Sequence, residues 1–243
     1  MRFCGQCGAS LSLLCRACGA KNDASQLFCG QCGAKLEAEP AERDQSQGIP
    51  ATRGRPAAEP SRLASERRHV TVLFVDLVGF TSLSEQRDAE DVRELLSEYF
   101  ATARTVIGRY GGTIEKFIGD AVMAVWGVRA IHENDAERAV RAALELVDEV
   151  AAFGEQAGIP GLRARAGVLT GEAAVNLDAD DEGMVAGDLV NTASRVQSVA
   201  EPGSVFVGES TRSASEAAIE YHDAGSHQLK GKPEPLRLGA LLA

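Results

Sequence analysis

The chain has 243 residues, 44% of them hydrophobic and 5% aromatic, with Lys+Arg 25 against Asp+Glu 35, a formal net charge of -10 and a pI near 5.0. That length allows one sizeable domain and an appendage, and the acidity argues against long-range attraction to a nucleic-acid backbone or an anionic membrane. No run of about 18 apolar residues is present, and Cys and Gly stand where a signal peptide needs an apolar core, so the reading is a soluble, cytoplasmic chain.

All six cysteines fall near the N-terminus, as Cys4-x2-Cys7, Cys15-x2-Cys18 and Cys29-x2-Cys32, with Gly8, Gly19 and Gly33 each following the second cysteine of its pair. Two thiolates on a tight turn can face one tetrahedral ion, and the glycine supplies the backbone freedom that the turn needs. Zinc is therefore expected; a disulfide framework is the alternative, disfavoured in a reducing compartment. Four thiolates fill one zinc, and Cys15, Cys18, Cys29 and Cys32 have the better spacing. The segment resembles the double zinc ribbon family with its first knuckle missing. Cys4 and Cys7 then either complete a zinc with a second chain or mark a start codon placed too late.

From about Glu37 to Ser65 the composition turns to Glu, Ala, Pro, Arg, Gln and Gly without hydrophobic period, and Pro40, Pro50, Pro56 and Pro60 deny it a helix. A flexible linker is expected. His69 to Leu77 then reads as a buried strand. Ala89 to Tyr110 is an amphipathic helix with Val92, Leu95, Leu96, Tyr99, Phe100, Ala103 and Val106 at helical spacing, stopped by Gly111-Gly112. Thr113 to Phe117 and Ala121 to Trp126 form a hairpin around Ile118-Gly119-Asp120. A second long helix, roughly Asn134 to Phe153, points Ala139, Ala142, Ala143, Leu146, Val147 and Val150 inward. Leu162 to Leu169 adds a strand, and the acidic run Asp178, Asp180, Asp181, Glu182 reads as a solvated loop. Gly187 to Val199 is helical, Ser204 to Val207 extended and Glu209 to Ala218 helical, and two closing strands lie between Tyr221 and Leu241. Alternating units around one sheet give an α/β (α+β) class.

Two aspartates each close an apolar strand: Asp76 in Val72-Leu73-Phe74-Val75-Asp76, and Asp120 after Phe117-Ile118-Gly119. Ionised carboxylates in apolar surroundings need a partner or a cation. If the strands are neighbours, the pair is a site for divalent metal.

Four motifs in order, Phe74-Val75-Asp76-Leu77-Val78-Gly79-Phe80-Thr81, Lys116-Phe117-Ile118-Gly119-Asp120, Gly187-Asp188-Leu189-Val190-Asn191-Thr192-Ala193-Ser194-Arg195 and Leu229-Lys230-Gly231-Lys232, make the stretch from about Arg67 to Leu238 resemble the catalytic domain of class III nucleotidyl cyclases. The resemblance implies a ferredoxin-like βαββαβ core working as a head-to-tail homodimer, and an organisation of zinc ribbon at 1–36, linker at 37–66 and catalytic domain at 67–243. It implies an adenylate cyclase that converts ATP to 3′,5′-cyclic AMP and pyrophosphate for intracellular signalling. Asp76, Asp120 and the Leu77 carbonyl match the ligands of two Mg²⁺ or Mn²⁺ ions. Gly79, Phe80 and Thr81 match the phosphate-facing turn, Asn191 the ribose-orienting asparagine and Arg195 the arginine that stabilises the transition state. Lys230 matches the triphosphate lysine, with Lys232 expected to be solvated, and Lys116 the purine-selecting lysine.

In such homodimers the metal pair comes from one chain, and Lys116, Asn191, Arg195 and Lys230 from the other. The sequence departs from the pattern at Met184, seven positions before Asn191, where an acid or threonine usually partners the purine-reading lysine; a thioether is a poor acceptor for the adenine amino group. Three rival readings follow: a catalytically weak regulatory module that binds nucleotide, a less selective cyclase that also uses GTP, and a ribbon that binds nucleic acid rather than a protein partner. The ribbon's mild basic excess, Arg2, Arg16, Lys21 and Lys35 against Asp23, comes with few aromatics for stacking.

Overall fold

The computed structural model describes residues 12–14, 21–23, 65–176 and 185–242, and the chain divides into two units, Met1–Ala57 and Ala58–Ala243. In the first unit β1 (Ser12–Leu14) and β2 (Lys21–Asp23) pair antiparallel, Leu14 opposite Lys21. The six cysteines, the greater part of the expected linker, the acidic run and Met184 lie outside the described residues.

The second unit runs β3 (Ser65–Leu77), α1 (Phe80–Glu85), α2 (Ala89–Arg109), β4 (Thr113–Ile118), β5 (Ala121–Trp126), α3 (Asp135–Gln156), β6 (Ala164–Asn176), β7 (Val185–Ala186), α4 (Asp188–Val199), β8 (Ser204–Gly208), α5 (Glu209–Ser215), β9 (His222–His227) and β10 (Leu236–Leu242). One sheet has the order β4-β5-β3-β6-β8-β10-β9, with β7 paired to β6. Its first four strands carry the ferredoxin-like order, and the remainder extends the sheet beyond β6. Every pairing is antiparallel except that of β6 with β8.

The period of two along β3 explains the layers. Leu73, Val75 and Leu77 enter one core with Leu95, Tyr99, Ala103 and Val106 of α2 and Ala139, Ala143 and Leu146 of α3. Val70, Val72 and Phe74 enter a second core with Ala193 and Val196 of α4. Both faces are covered, so the strand reads as a nearly continuous apolar run. All six inward positions expected of α3 are buried. Alanines on that face bring the helix close to the sheet.

Several boundaries differ from the sequence reading. β3 begins at Ser65 rather than His69, and β6 continues to Asn176 rather than stopping at Leu169, because the two form one long ladder from Ser65↔Asn176 to Leu77↔Ala164. Ser65 and Glu66, placed at the end of the linker by composition, are therefore strand. Helix α1 is an addition to the expected elements: in its six residues Phe80 and Leu83, both half-buried, are the apolar ones, too few for a hydrophobic period. Helix α5 ends at Ser215, short of Ala218. No described helix is long and apolar enough to cross a membrane.

Candidate active site

Strand alternation puts Asp76 on the α4 side of the sheet with Phe74, at the end where β3 lies against the start of β6. Asp76 faces Arg165 in the ladder, and its Oδ2 accepts hydrogen bonds from Arg165 Nη2 at 3.4 Å and from Gln197 Nε2 of α4 at 3.3 Å. Arg165 Nη1 also donates to the Ser198 carbonyl at 2.8 Å, which fixes the guanidinium between helix and acid.

Asp120 arrives from the neighbouring hairpin. Gly119, at φ 63°, takes the left-handed conformation that turns β4 into β5. The Asp120 carboxyl lies within hydrogen-bonding reach of Asp76 and is pushed up from 3.8 to about 6, by burial first and then by the hydrogen bond and negative charge of Asp76; the backbone N–H groups of Asp120 and Leu77 pull the other way. Below the pair, Tyr99 is 1% exposed and its hydroxyl has no hydrogen-bond partner among the described residues. Burial, and then the charges of Asp76 and Asp120, hold that hydroxyl far above the usual phenol range.

Two adjoining carboxyls with strand-fixed backbones, carrying more negative charge than Arg165 offsets, form an oxygen donor set. Hard oxygen ligands of this kind suit a small divalent cation such as Mg²⁺ or Mn²⁺. Next along the chain, Gly79 (φ 72°) caps α1 and directs the turn containing half-buried Phe80 and exposed Thr81.

A second set of polar groups collects on the other side of α4. Residues 195 and 197 lie about 200° apart around a helix, so when Gln197 turns in to Asp76, Arg195 turns away. Asn191, one turn earlier, shares the Arg195 face. The Lys230-Gly231 turn stands against the Arg195 guanidinium: a Cβ on Gly231 (φ 76°) would lie 3.5 Å from Nη1 and Nη2. Lys230 is exposed. Lys232, expected to be solvated, instead pairs with Asp188 at the start of α4 and holds that carboxyl below the usual range. The two groups are 44 residues apart, and only the fold brings them together.

Lys116 lies on β4 at the edge of the sheet, its Nζ 4.0 Å from Glu115 Oε1 and its side chain 35% exposed. The register shift between Ile114 and Lys116 makes Glu115 the extra residue of a bulge, which re-aims the lysine that follows.

The structure thus brings Asp76, Leu77, Asp120 and Gly79 together, and separately Asn191, Arg195 and Lys230. Among the described residues, no hydrogen bond or ion pair joins the second group to Asp76 or Asp120. Sequence alone does not single out Arg165, Gln197 or Tyr99 as part of the site. Arg165 is legible there only as a polar residue in a strand, and its position opposite Asp76 depends on a register that no local pattern specifies.

A family model of the adenylate and guanylate cyclase catalytic domain matches residues 63–238, and one of the double zinc ribbon matches residues 1–33. The adenylyl cyclase CyaB from P. aeruginosa is similar in structure, with a TM-score of 0.69 and 31% identity over 74% of this chain and 96% of that one. The guanylyl cyclase Cya2 is similar with a TM-score of 0.65 and 32% identity over 72% of this chain and 92% of that one. Adenylate cyclase 1 of Rhizobium meliloti is 33% identical over 71% of this chain and 27% of its own length. The first curated relatives are much longer than the match: the chain spans 18% of one and 34% of another.

Proposed function

The chain belongs to the adenylate and guanylate cyclase catalytic domain family, and from that premise we propose that it is an adenylate cyclase, converting ATP to 3′,5′-cyclic AMP and pyrophosphate at a head-to-tail homodimer interface. The observation that carries the reading is the split of the polar groups around α4. A carboxyl pair faces its own sheet end, and Asn191, Arg195 and Lys230 face outward. One protomer then lacks a whole site, and a second copy completes it twice over.

Asp76, Asp120 and the Leu77 carbonyl would hold two Mg²⁺ or Mn²⁺ ions, which when bound supply Lewis acidity to the ribose 3′-oxygen and offset triphosphate charge. The residues of the chain do the rest. The ribose 3′-hydroxyl gives up its proton to water, its oxygen bonds to the α-phosphorus, the bond from that phosphorus to the bridging oxygen breaks, and pyrophosphate leaves with that bond's electron pair. Asn191 orients the ribose, and Arg195 donates to the α-phosphate oxygens as their charge grows. A fixed donor aimed at developing charge is worth most where water is excluded. Lys230 holds the triphosphate, as do the backbone N–H groups of the Gly79–Thr81 turn. Arg165, already anchored on Asp76 and on the Ser198 carbonyl, presents guanidinium hydrogens beside the same phosphates.

Lys116 argues for adenine, whose ring nitrogen accepts a hydrogen bond. Met184 favours a second reading, a less selective enzyme that also takes GTP, and an adenylyl and a guanylyl cyclase are similar to this chain in nearly equal degree. In the first unit, Cys15, Cys18, Cys29 and Cys32 would bind a structural zinc, and a protein partner is the proposed occupant of that ribbon. The test is a Mn²⁺-supported assay with ATP and GTP in parallel, on the wild type and on Asp120→Ala. Cyclic AMP from the wild type and background from the variant support the reading. No product from either nucleotide at micromolar protein reduces the chain to a regulatory module that binds nucleotide.

A further inference from the structure

Gln197 has no part in the mechanism above, yet it is 5% exposed and its amide nitrogen is aimed at a carboxylate oxygen, Asp76 Oδ2, at 3.3 Å. Its backbone is fixed as tightly as its side chain. A Cβ on Gly167 of β6 would lie 2.9 Å from Gln197 Cα and closer still to its nitrogen, so helix and strand touch backbone to backbone at this residue. Arg165 reaches the same Oδ2 at 3.4 Å through Nη2, with Nη1 on the Ser198 carbonyl, and is 30% exposed in its side chain. Gln197 thus adds a buried, neutral donor to the same carboxylate oxygen.

We propose that Gln197 is a positioning residue for the metal site, holding one oxygen of Asp76 by a hydrogen bond so that the other is presented toward Asp120. The inference rests on the reading of Asp76 and Asp120 as cation ligands. A neutral amide suits this role because it restrains the carboxylate without neutralising the charge that a cation needs, as a second charged donor would. Groups that orient a metal ligand typically contribute about 10- to 100-fold in affinity.

The experiment uses the full chain and Mn²⁺ as the probe, with binding read by electron paramagnetic resonance in the absence of nucleotide and Asp120→Ala as the metal-site blank. Gln197→Met and Gln197→Leu each place an apolar side chain of similar size there and remove the donor. Both are expected to weaken Mn²⁺ binding at least about tenfold. In turnover, both should raise the metal concentration for half activation by a similar factor while kcat at saturating metal stays within about threefold of wild type. A merely structural role would lower kcat at every metal concentration instead. Wild-type Mn²⁺ affinity in a folded Gln197→Met, or a kcat loss that saturating metal does not repair, overturns the proposal. Because binding is read without nucleotide, a wild type that binds Mn²⁺ through Asp120 but makes no cyclic nucleotide refutes the cyclase reading and leaves this inference standing. A wild type that binds no Mn²⁺ refutes both.

Discussion

Gly167→Ala is the smallest change that should separate α4 from the sheet. The new methyl would stand 2.8 Å from the Ala193 carbonyl oxygen and 2.9 Å from Gln197 Cα, against an ordinary contact of 3.4 Å or more. The nearest atoms are all backbone, so no side chain can rotate to relieve the overlap. The Gln197 nitrogen would lie closer still, so the helix must retreat by about 1 Å to restore an ordinary contact. Overpacking of this kind costs about 1–3 kcal/mol, which for a domain of this size lowers Tm by roughly 3–10 °C. The functional loss should be larger than the stability loss. The Gln197 hydrogen bond to Asp76, already 3.3 Å long, would break, and Asn191 and Arg195 would shift with their helix; misplacement near 1 Å can cost on the order of 100-fold in rate. Gly171→Ala is the control, because its methyl would meet only the Leu189 Cδ1 tip at 3.2 Å, which can move aside. Thermal melts and cyclase kcat on both variants provide the assay. A Gly167→Ala chain with wild-type Tm and kcat would refute the backbone contact and everything hung on it.

The Asp120 carboxyl gives a pH signature. Its native value near 6 exceeds its ordinary 3.8, so between those values the native state binds more protons than the unfolded state and metal-free stability falls as pH rises from about 4 to about 6. The full shift corresponds to about 3 kcal/mol, reduced to about 1 kcal/mol because the group is half open to water. The wild type minus Asp120→Asn difference in urea melts should show this slope, and saturating Mn²⁺ should remove it; a difference that stays flat, or rises, contradicts the raised Asp120 value. At the base, Lys116→Glu should lower kcat/KM for ATP by roughly 10- to 100-fold, the worth of one charged hydrogen bond, and shift preference toward GTP. Unchanged ATP selectivity in parallel assays would remove Lys116 from base reading.

Much of the site is legible in sequence because its residues are tied to local punctuation. Asp76 ends an apolar run, Asp120 follows a turn glycine, and Asn191 and Arg195 share a helix face by spacing alone. What escapes depends on distance through space. Arg165 acquires meaning only from the β3–β6 register, and Gln197 only from the close approach of α4 to Gly167. Lys232 reads as a solvated loop charge until the fold brings Asp188 to it. The length of β3 is hidden for a similar reason: Ser65, Glu66, Arg67 and Arg68 carry no apolar signal, and it is the equally long β6 beside them that makes them strand. Helix α1 is six residues long, and half-buried Phe80 and Leu83 are too few to make a period that could be detected.

The central claim, that each site is assembled from two chains, is tested most directly by complementation. Asp120→Ala and Arg195→Ala should each be inactive alone, one lacking a metal ligand in both sites and the other lacking the transition-state arginine in both. Mixed in equal amounts and allowed to exchange, half of the dimers would be mixed, each with one intact site of two, so activity should return to about one quarter of wild type. A mixture that stays at background, while wild-type protein treated the same way keeps its activity, would show that the acids and the arginine serve one site within a single chain.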